Sequence, residues 1–225
     1  MIAKRAIAEG IGTYLLVFFG TGAILYSDAL EGGLTNLGIG LAFGLTVMIV
    51  ILAIGQFSGA HINPAVTIGF WYDKQIPANH VLPYIISQCL GAIAASFTLS
   101  MIDRDHPNLG GTASNLEVWQ IFAIEFFITA ILMFVILRVS KFRGMFIPAV
   151  IVGGTVAIHA TALGPLTGAS MNPARSLGPA LASGQLEQLG IYICATILGS
   201  LFAAILHRQL FKPRQAHATD TQPTR

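Results

Sequence analysis

Two stretches decide the fold: "SGAHINPAVTIGF", residues 58–70, and "GPLTGASMNPARSLGPA", residues 164–180. Each holds an Asn-Pro-Ala triplet, Asn63, Pro64 and Ala65 in the first and Asn172, Pro173 and Ala174 in the second. Asn is a favoured helix N-cap. Pro is favoured at the first helical position, where its missing N–H would be unbonded anyway. Each triplet therefore predicts a helix start. The apolar segments that follow, about 63–72 and 172–182, are too short to cross a bilayer, which takes about 20 residues. One capped short helix is ordinary. Two short, Gly/Pro-interrupted segments at matching places in two halves mark discontinuous helices at a binding or conduction site.

Six longer apolar stretches lie around them, at roughly 3–26, 35–56, 79–101, 116–138, 146–163 and 188–210, each long enough to span. The composition agrees. The 225 residues are 54% hydrophobic and only 10% charged, whereas soluble domains carry about 25% charged residues. The missing charge points to a lipid-facing surface. A net charge of +2 without a basic cluster excludes nucleic acid as a partner. Cys89 and Cys194 sit inside apolar runs, with neither metal-ligand spacing nor a disulfide framework, and read as small buried residues. No metal or cofactor is expected. The first run follows Lys4 and Arg5, as a signal peptide would, but it is too long and contains Glu9, so it reads as a retained span.

Charge placement orients the spans. With the N-terminus in the cytoplasm, Lys4, Arg5, Lys74, Arg138, Lys141, Arg143, Arg208, Lys212, Arg214 and Arg225 lie inside. Arg104 alone lies in an outer loop, beside Asp28, Glu31, Asp103, Asp105 and Glu187. This is the positive-inside pattern. The expectation is one channel domain over 1–211, with repeat halves at about 3–101 and 116–210, and a polar cytoplasmic tail over 212–225. Three spans per half force the halves to insert in opposite directions. The fold class is thus an all-α membrane protein with six transmembrane helices and two reentrant half-helices in an inverted repeat. A half-helix N-terminus carries about half a positive elementary charge. Two of them meeting at mid-membrane disfavour cations, including a migrating proton. The cap uses the Asn oxygen and leaves the amide N–H groups free to donate into a lumen.

These two segments, with "AEGIGTYLLVFFGTGA" at residues 8–23, resemble the aquaporin (major intrinsic protein) family over about residues 6 to 210. The resemblance implies a homotetramer with one pore per subunit. It also implies an outer constriction of four residues, mapped here to Phe43, His159, Ala169 and Arg175. The topology places Phe43 and His159 near the outer ends of the second and fifth spans. Arg175 would donate to solute and repel cations, His159 would reduce the diameter, Phe43 would supply an apolar wall, and Ala169 would leave a carbonyl-lined gap. Phe and His at these positions resemble the water-selective members, as does Ser176 after the Arg, where glycerol channels tend to carry Asp. Ala169 in place of Thr or Cys widens the filter and removes the usual site of mercurial block. The stretch "TGASMNPARSLGPA" also resembles plant vacuolar and nodulin-type members, some of which pass ammonia, urea, peroxide or metalloid acids.

The resemblance gives the buried carboxylates Glu9 and Glu125 a structural role, bonding the backbone of the reentrant loops, and places His61 in the inner vestibule. Gly40 and Gly44 form a close-packing motif within the subunit. The expected function is a passive channel for water, extending to other small neutral solutes, that excludes protons and ions. A coupled transporter using Glu9, Glu125 and the histidines competes with it, because such proteins share inverted repeats and broken helices. Arg175 beside two positive helix ends offers no cation site and argues against that alternative. An enzyme has no support, since no nucleophile–base pair, metal cluster or phosphate loop is present. The expected location is the inner membrane of a bacterium.

Overall fold

The computed structural model describes residues 2–211. The tail expected over 212–225 lies outside the described residues. Eight helices follow in order: α1 (Ile2–Ala29), α2 (Asn36–Ser58), α3 (Pro64–Tyr72), α4 (Ala78–Ile102), α5 (Val118–Val139), α6 (Phe146–Thr167), α7 (Pro173–Ser183) and α8 (Leu189–Phe211). Among the described residues there is no strand. Six helices are long and apolar enough to cross a membrane, each of 22 to 28 residues, or about 33 to 42 Å at 1.5 Å per residue. The short pair, α3 with 9 residues and α7 with 11, adds up end to end to about 30 Å, the thickness of one hydrocarbon core.

The fifth expected span ends late. Expected over about 146–163, it continues as α6 through Pro165 to Thr167. The helix is closed by Gly168 at φ 77, whose N–H bonds the Gly164 carbonyl. That is an αL cap, and the proline is accommodated within the last turn.

The contact pattern maps onto itself when α1–α4 are exchanged with α5–α8. α1 packs on α4 as α5 does on α8, α4 on α7 as α8 does on α3, and α2 meets α6 across the centre. Glycines set the closest approaches. A Cβ at Gly91 would collide with the Gly10 carbonyl oxygen, and one at Gly199 with that of Phe126. Between α2 and α6, Gly40 lies against Thr161 and Ala157, and Gly44 against Gly153. The Gly40/Gly44 pair thus serves packing inside the subunit, as small residues do where helices approach in lipid. Large apolar side chains such as Leu82, Leu90, Phe127 and Ile158 stand exposed on the outside. Such a coat suits lipid, not water.

Because the spans alternate, residues 2 and 211 lie on one face, called here the terminal face. The 103–117 loop lies on the opposite face. The loop before α3 folds in from the terminal face and the loop before α7 from the opposite one.

Candidate conduction pore

Asn63 and Asn172 cap α3 and α7. The Oδ1 of Asn63 accepts from Ala65 N at 2.8 Å and Val66 N at 3.4 Å, and that of Asn172 from Ala174 N at 3.0 Å and Arg175 N at 3.4 Å. Pro64 and Pro173 take the first helical positions. The amide nitrogens have a second task. Asn63 Nδ2 donates to the Met171 carbonyl at 2.7 Å, and Asn172 Nδ2 to the Ile62 carbonyl at 2.9 Å. Each carboxamide stitches its own half-helix to the opposing loop. Since an amide nitrogen carries two hydrogens, one of the two remains for the lumen, where sequence reasoning left both free.

The loops feeding these caps are strained. Ala60 and Ile62 in the first have φ of 47° and 44°, and Ala169 and Met171 in the second have 41° and 52°. Left-handed backbone at a β-branched residue such as Ile62 is rare. The buried carboxylates account for its persistence. Glu9 accepts from His61 N at 3.0 Å and Ile62 N at 2.6 Å. Glu125 accepts from Ser170 N at 2.9 Å and Met171 N at 3.0 Å. Successive N–H groups in such a turn form an anion-binding nest, and each nest is filled by a carboxylate from the facing span. Sequence reasoning missed the supporting polar groups. Gln88 Nε2 donates to Glu9 at 2.9 Å, Thr167 Oγ1 to Glu125 at 2.7 Å, and the hydroxyls of Tyr84 and Tyr192 to the carbonyls of Ser58 and Thr167, both at 2.7 Å. Polar residues within apolar spans are the signal that could have found them.

A cavity of about 290 Å³ threads the two halves. At the terminal face it is lined by Gln75, Ile76, Ser140 and Met145, at its middle by His61, Asn63 and Asn172, and toward the opposite face by Phe43, Ala160, Ala169 and Arg175. Its wall is mostly apolar, with Val47, Ile51, Leu132, Val152 and Val156 among its members. His61 stacks on Phe70 with ring centroids 4.6 Å apart, and its Nδ1 lies 3.1 Å from Thr67 Oγ1.

Phe43, Ala169 and Arg175 line the cavity together. The fourth expected member does not. His159 is half-buried beside the cavity, and its Nδ1 lies 3.3 Å from Met171 Sδ. On α6 the lining falls on Pro148, Val152, Val156 and Ala160, a run spaced by four that keeps one helical face. Adjacent helical residues point about 100° apart. The polar residue of the pair suggested itself in the sequence, but the small residue after it meets the lumen. The spacing from Val152 and Val156 was the available signal.

Arg175 is 2% exposed. Its Nη1 donates to the Gly110 carbonyl at 2.9 Å, and its guanidinium carbon stands 5.1 Å from the Phe43 ring centre. Nε and Nη2 are buried and have no protein partner. Two unpaired donors on a buried cation beside a cavity are an arrangement that solute oxygens would satisfy. Gly20 makes room for Phe43, since a Cβ there would strike its ring.

Comparison with known proteins agrees with this architecture. The sequence profile described as Major intrinsic protein matches residues 1–207. Nodulin-26 of Glycine max is 38% identical over 205 residues, which are 89% of this chain and 75% of that protein. Aquaporin NIP6-1 of Arabidopsis thaliana is 40% identical over 199 residues, 88% of this chain and 65% of that one. Among solved structures, the aquaglyceroporin from Plasmodium falciparum superposes with a TM-score of 0.85 at 25% identity, covering 95% of this chain and 98% of its own. On its profile match, its curated relatives and its paired reentrant half-helices, the chain belongs to the aquaporin (major intrinsic protein) family, as an integral multi-pass membrane protein.

Proposed function

We propose that the chain passes water and larger uncharged polar solutes along its central cavity, with Phe43, Ala160, Ala169 and Arg175 as the narrowest ring. As a member of its family it is a passive channel for water and small neutral solutes. The observation that carries the finer reading is Ala160. With Ala at both 160 and 169, two of the four ring positions are methyl groups, and only Phe43 and Arg175 project bulk. A His at the α6 position would have favoured water alone. Its place beside the cavity, against Met171, favours a broader solute range. The Phe43 ring offers an apolar wall to a carbon skeleton, while Arg175 Nε and Nη2 take its oxygens.

Charge exclusion follows from the caps. The N-termini of α3 and α7 face the middle of the cavity, each with about half a positive charge, and Arg175 adds a full one. Glu9 and Glu125 are not placed for proton relay, since both oxygens of each accept backbone N–H groups. The positive-inside pattern puts the terminal face in the cytoplasm. The plant relatives lend nothing to the bacterial inner membrane expected from the sequence. A homotetramer rests on the family resemblance, and a native mass at four times 23.9 kDa is its test; a monomer in mild detergent sinks it.

The deciding experiment is a stopped-flow osmotic assay on proteoliposomes with water, glycerol and urea, run alongside a proton-gradient assay. Glycerol-stressed vesicles shrink and then reswell as glycerol enters. Shrinkage without reswelling, at full water permeability, refutes the broad aperture. Collapse of the proton gradient refutes the exclusion argument.

A further inference from the structure

We propose that His106 is a positioning residue for Arg175: it holds the 106–110 turn in the shape that presents the Gly110 carbonyl to the guanidinium, and it does so only while its ring is uncharged. The inference rests on the reading of Arg175 as a filter residue.

The turn lies in the long connection between α4 and α5. His106 Nε2 is 3.1 Å from Asp28 Oδ2 at the end of α1. The His side chain is 7% exposed and the Asp side chain 59%. On its other edge, Nδ1 lies 3.0 Å from Leu109 N and 3.4 Å from Asn108 N. A backbone N–H can only donate, so Nδ1 must be an acceptor. The ring is therefore the tautomer with its hydrogen on Nε2, directed at Asp28. These bonds close a turn in which Leu109 and Gly110 both have positive φ, 50° and 66°. Left-handed backbone at a leucine persists where its surroundings fix it. Leu109 is buried against Leu25 and Leu99, and the Nδ1 bond ties its N–H. Asn108 supports the next residue, its Oδ1 accepting from Gly110 N at 3.1 Å. A Cβ at Gly110 would lie 2.7 Å from the Thr21 carbonyl, so the turn is seated tightly against α1. The Gly110 carbonyl then accepts from Arg175 Nη1 at 2.9 Å, the side-chain hydrogen bond that holds the guanidinium to the wall.

A second proton on the His106 ring can only go to Nδ1. There it points at the Leu109 N–H, and both bonds that close the turn are lost. Asp28 stays in contact with Nε2 in either state, so the change is confined to the Nδ1 edge. The other charged groups on the elements around the ring are Lys4, Arg5 and Glu9 on α1, Glu31 just beyond it, Asp103, Arg104, Asp105 and Glu117 in the same connection, and Arg175 on α7. Among the described residues, none of these is in ionic contact with His106. Once the turn opens, the Gly110 carbonyl withdraws. Arg175, left without its wall acceptor, turns into the aperture, so acidification lowers permeability.

The test measures water and urea permeability of proteoliposomes buffered alike on both sides, from about pH 7.5 down to about pH 5, where histidine changes charge. Four proteins are compared: wild type, His106→Asn, His106→Ala and Arg175→Val. An Asn oxygen can accept the Asn108 N–H, two residues on, in an Asx-type bond that keeps one of the two bonds closing the turn, and it carries no charge at any pH. Wild type is expected to lose about threefold or more on acidification and to recover on return, as His-controlled devices do. His106→Asn holds the high value throughout, His106→Ala holds the low one, and Arg175→Val shows no pH response. A His106→Asn profile like that of wild type overturns the proposal, as does an Arg175→Val profile that still responds. If Arg175→Val alters solute selectivity while wild type is flat with pH, the filter reading stands and the role of His106 falls. If Arg175→Val alters neither, the filter reading itself fails.

Discussion

The loop before Asn63 and the loop before Asn172 take the same backbone path. Gly59 and Gly168 open them at φ of 98° and 77°, Ala60 and Ala169 follow at 47° and 41°, and Ile62 and Met171 close them at 44° and 52°. Each is held by one carboxylate and stitched to the other by one carboxamide. Their side chains part company after the caps. The first helix continues with Val66 and the second with Arg175; the first loop carries His61 and the second Ser170. Symmetric backbone therefore supplies what is symmetric in the job, the two helix dipoles facing each other at the centre. Asymmetric side chains put a buried cation, Arg175, beside Phe43 on one side only, toward the opposite face.

The largest expected effect removes a loop's anchor. Glu125→Ala strips the acceptor from two buried N–H groups and the Thr167 hydroxyl, and at about 1–3 kcal/mol per orphaned group it should abolish stable folding. Glu9→Ala should be milder, because Gln88 Nε2, the third donor to Glu9, keeps Thr67 Oγ1 as a second acceptor. Melting temperature and monodispersity in detergent read the difference, and equal tolerance of both changes would break the claim that the carboxylates hold the loops. Next come the helix contacts that the halves share. Gly91→Ala and Gly199→Ala each force a Cβ onto a facing carbonyl and should destabilise by about 1–3 kcal/mol, the usual range for overpacking. A loss confined to one of them, again by melting temperature, would show that the two helix pairs are not equivalent.

Smaller effects probe the asymmetric side. Ala160→Phe should lower glycerol permeability by about tenfold while leaving water within about threefold, since pore diameter sets the larger solute's limit. An unchanged glycerol-to-water ratio would remove Ala160 from the constriction. Least affected should be His159→Ala, with that ratio shifting less than about twofold, because the ring lies beside the cavity and touches Met171 Sδ. A large shift would return His159 to the ring.

Much of this was legible in the chain. Length and apolarity fix spans, and Asn followed by Pro fixes a helix start, because both effects are local. Glu9 and Glu125 could be singled out because a carboxylate in an apolar span demands partners. The partners could not be named: Gln88 and the His61 and Ile62 amides lie 79, 52 and 53 residues from Glu9, and nothing local encodes such distances. The second task of the Asn63 and Asn172 amides was hidden for the same reason, since it depends on two loops meeting from opposite faces.

By itself the sequence determined an all-helical membrane protein with six spans, two half-helices and an inverted repeat, since hydrophobic length and capping are properties of short segments. Only the tertiary structure decided which face of α6 meets the cavity, and so put Ala160 there in place of His159. It alone showed that a turn in a distant loop holds Arg175. A helical register shifts by about 100° per residue, and only packing against other helices fixes where that rotation stops.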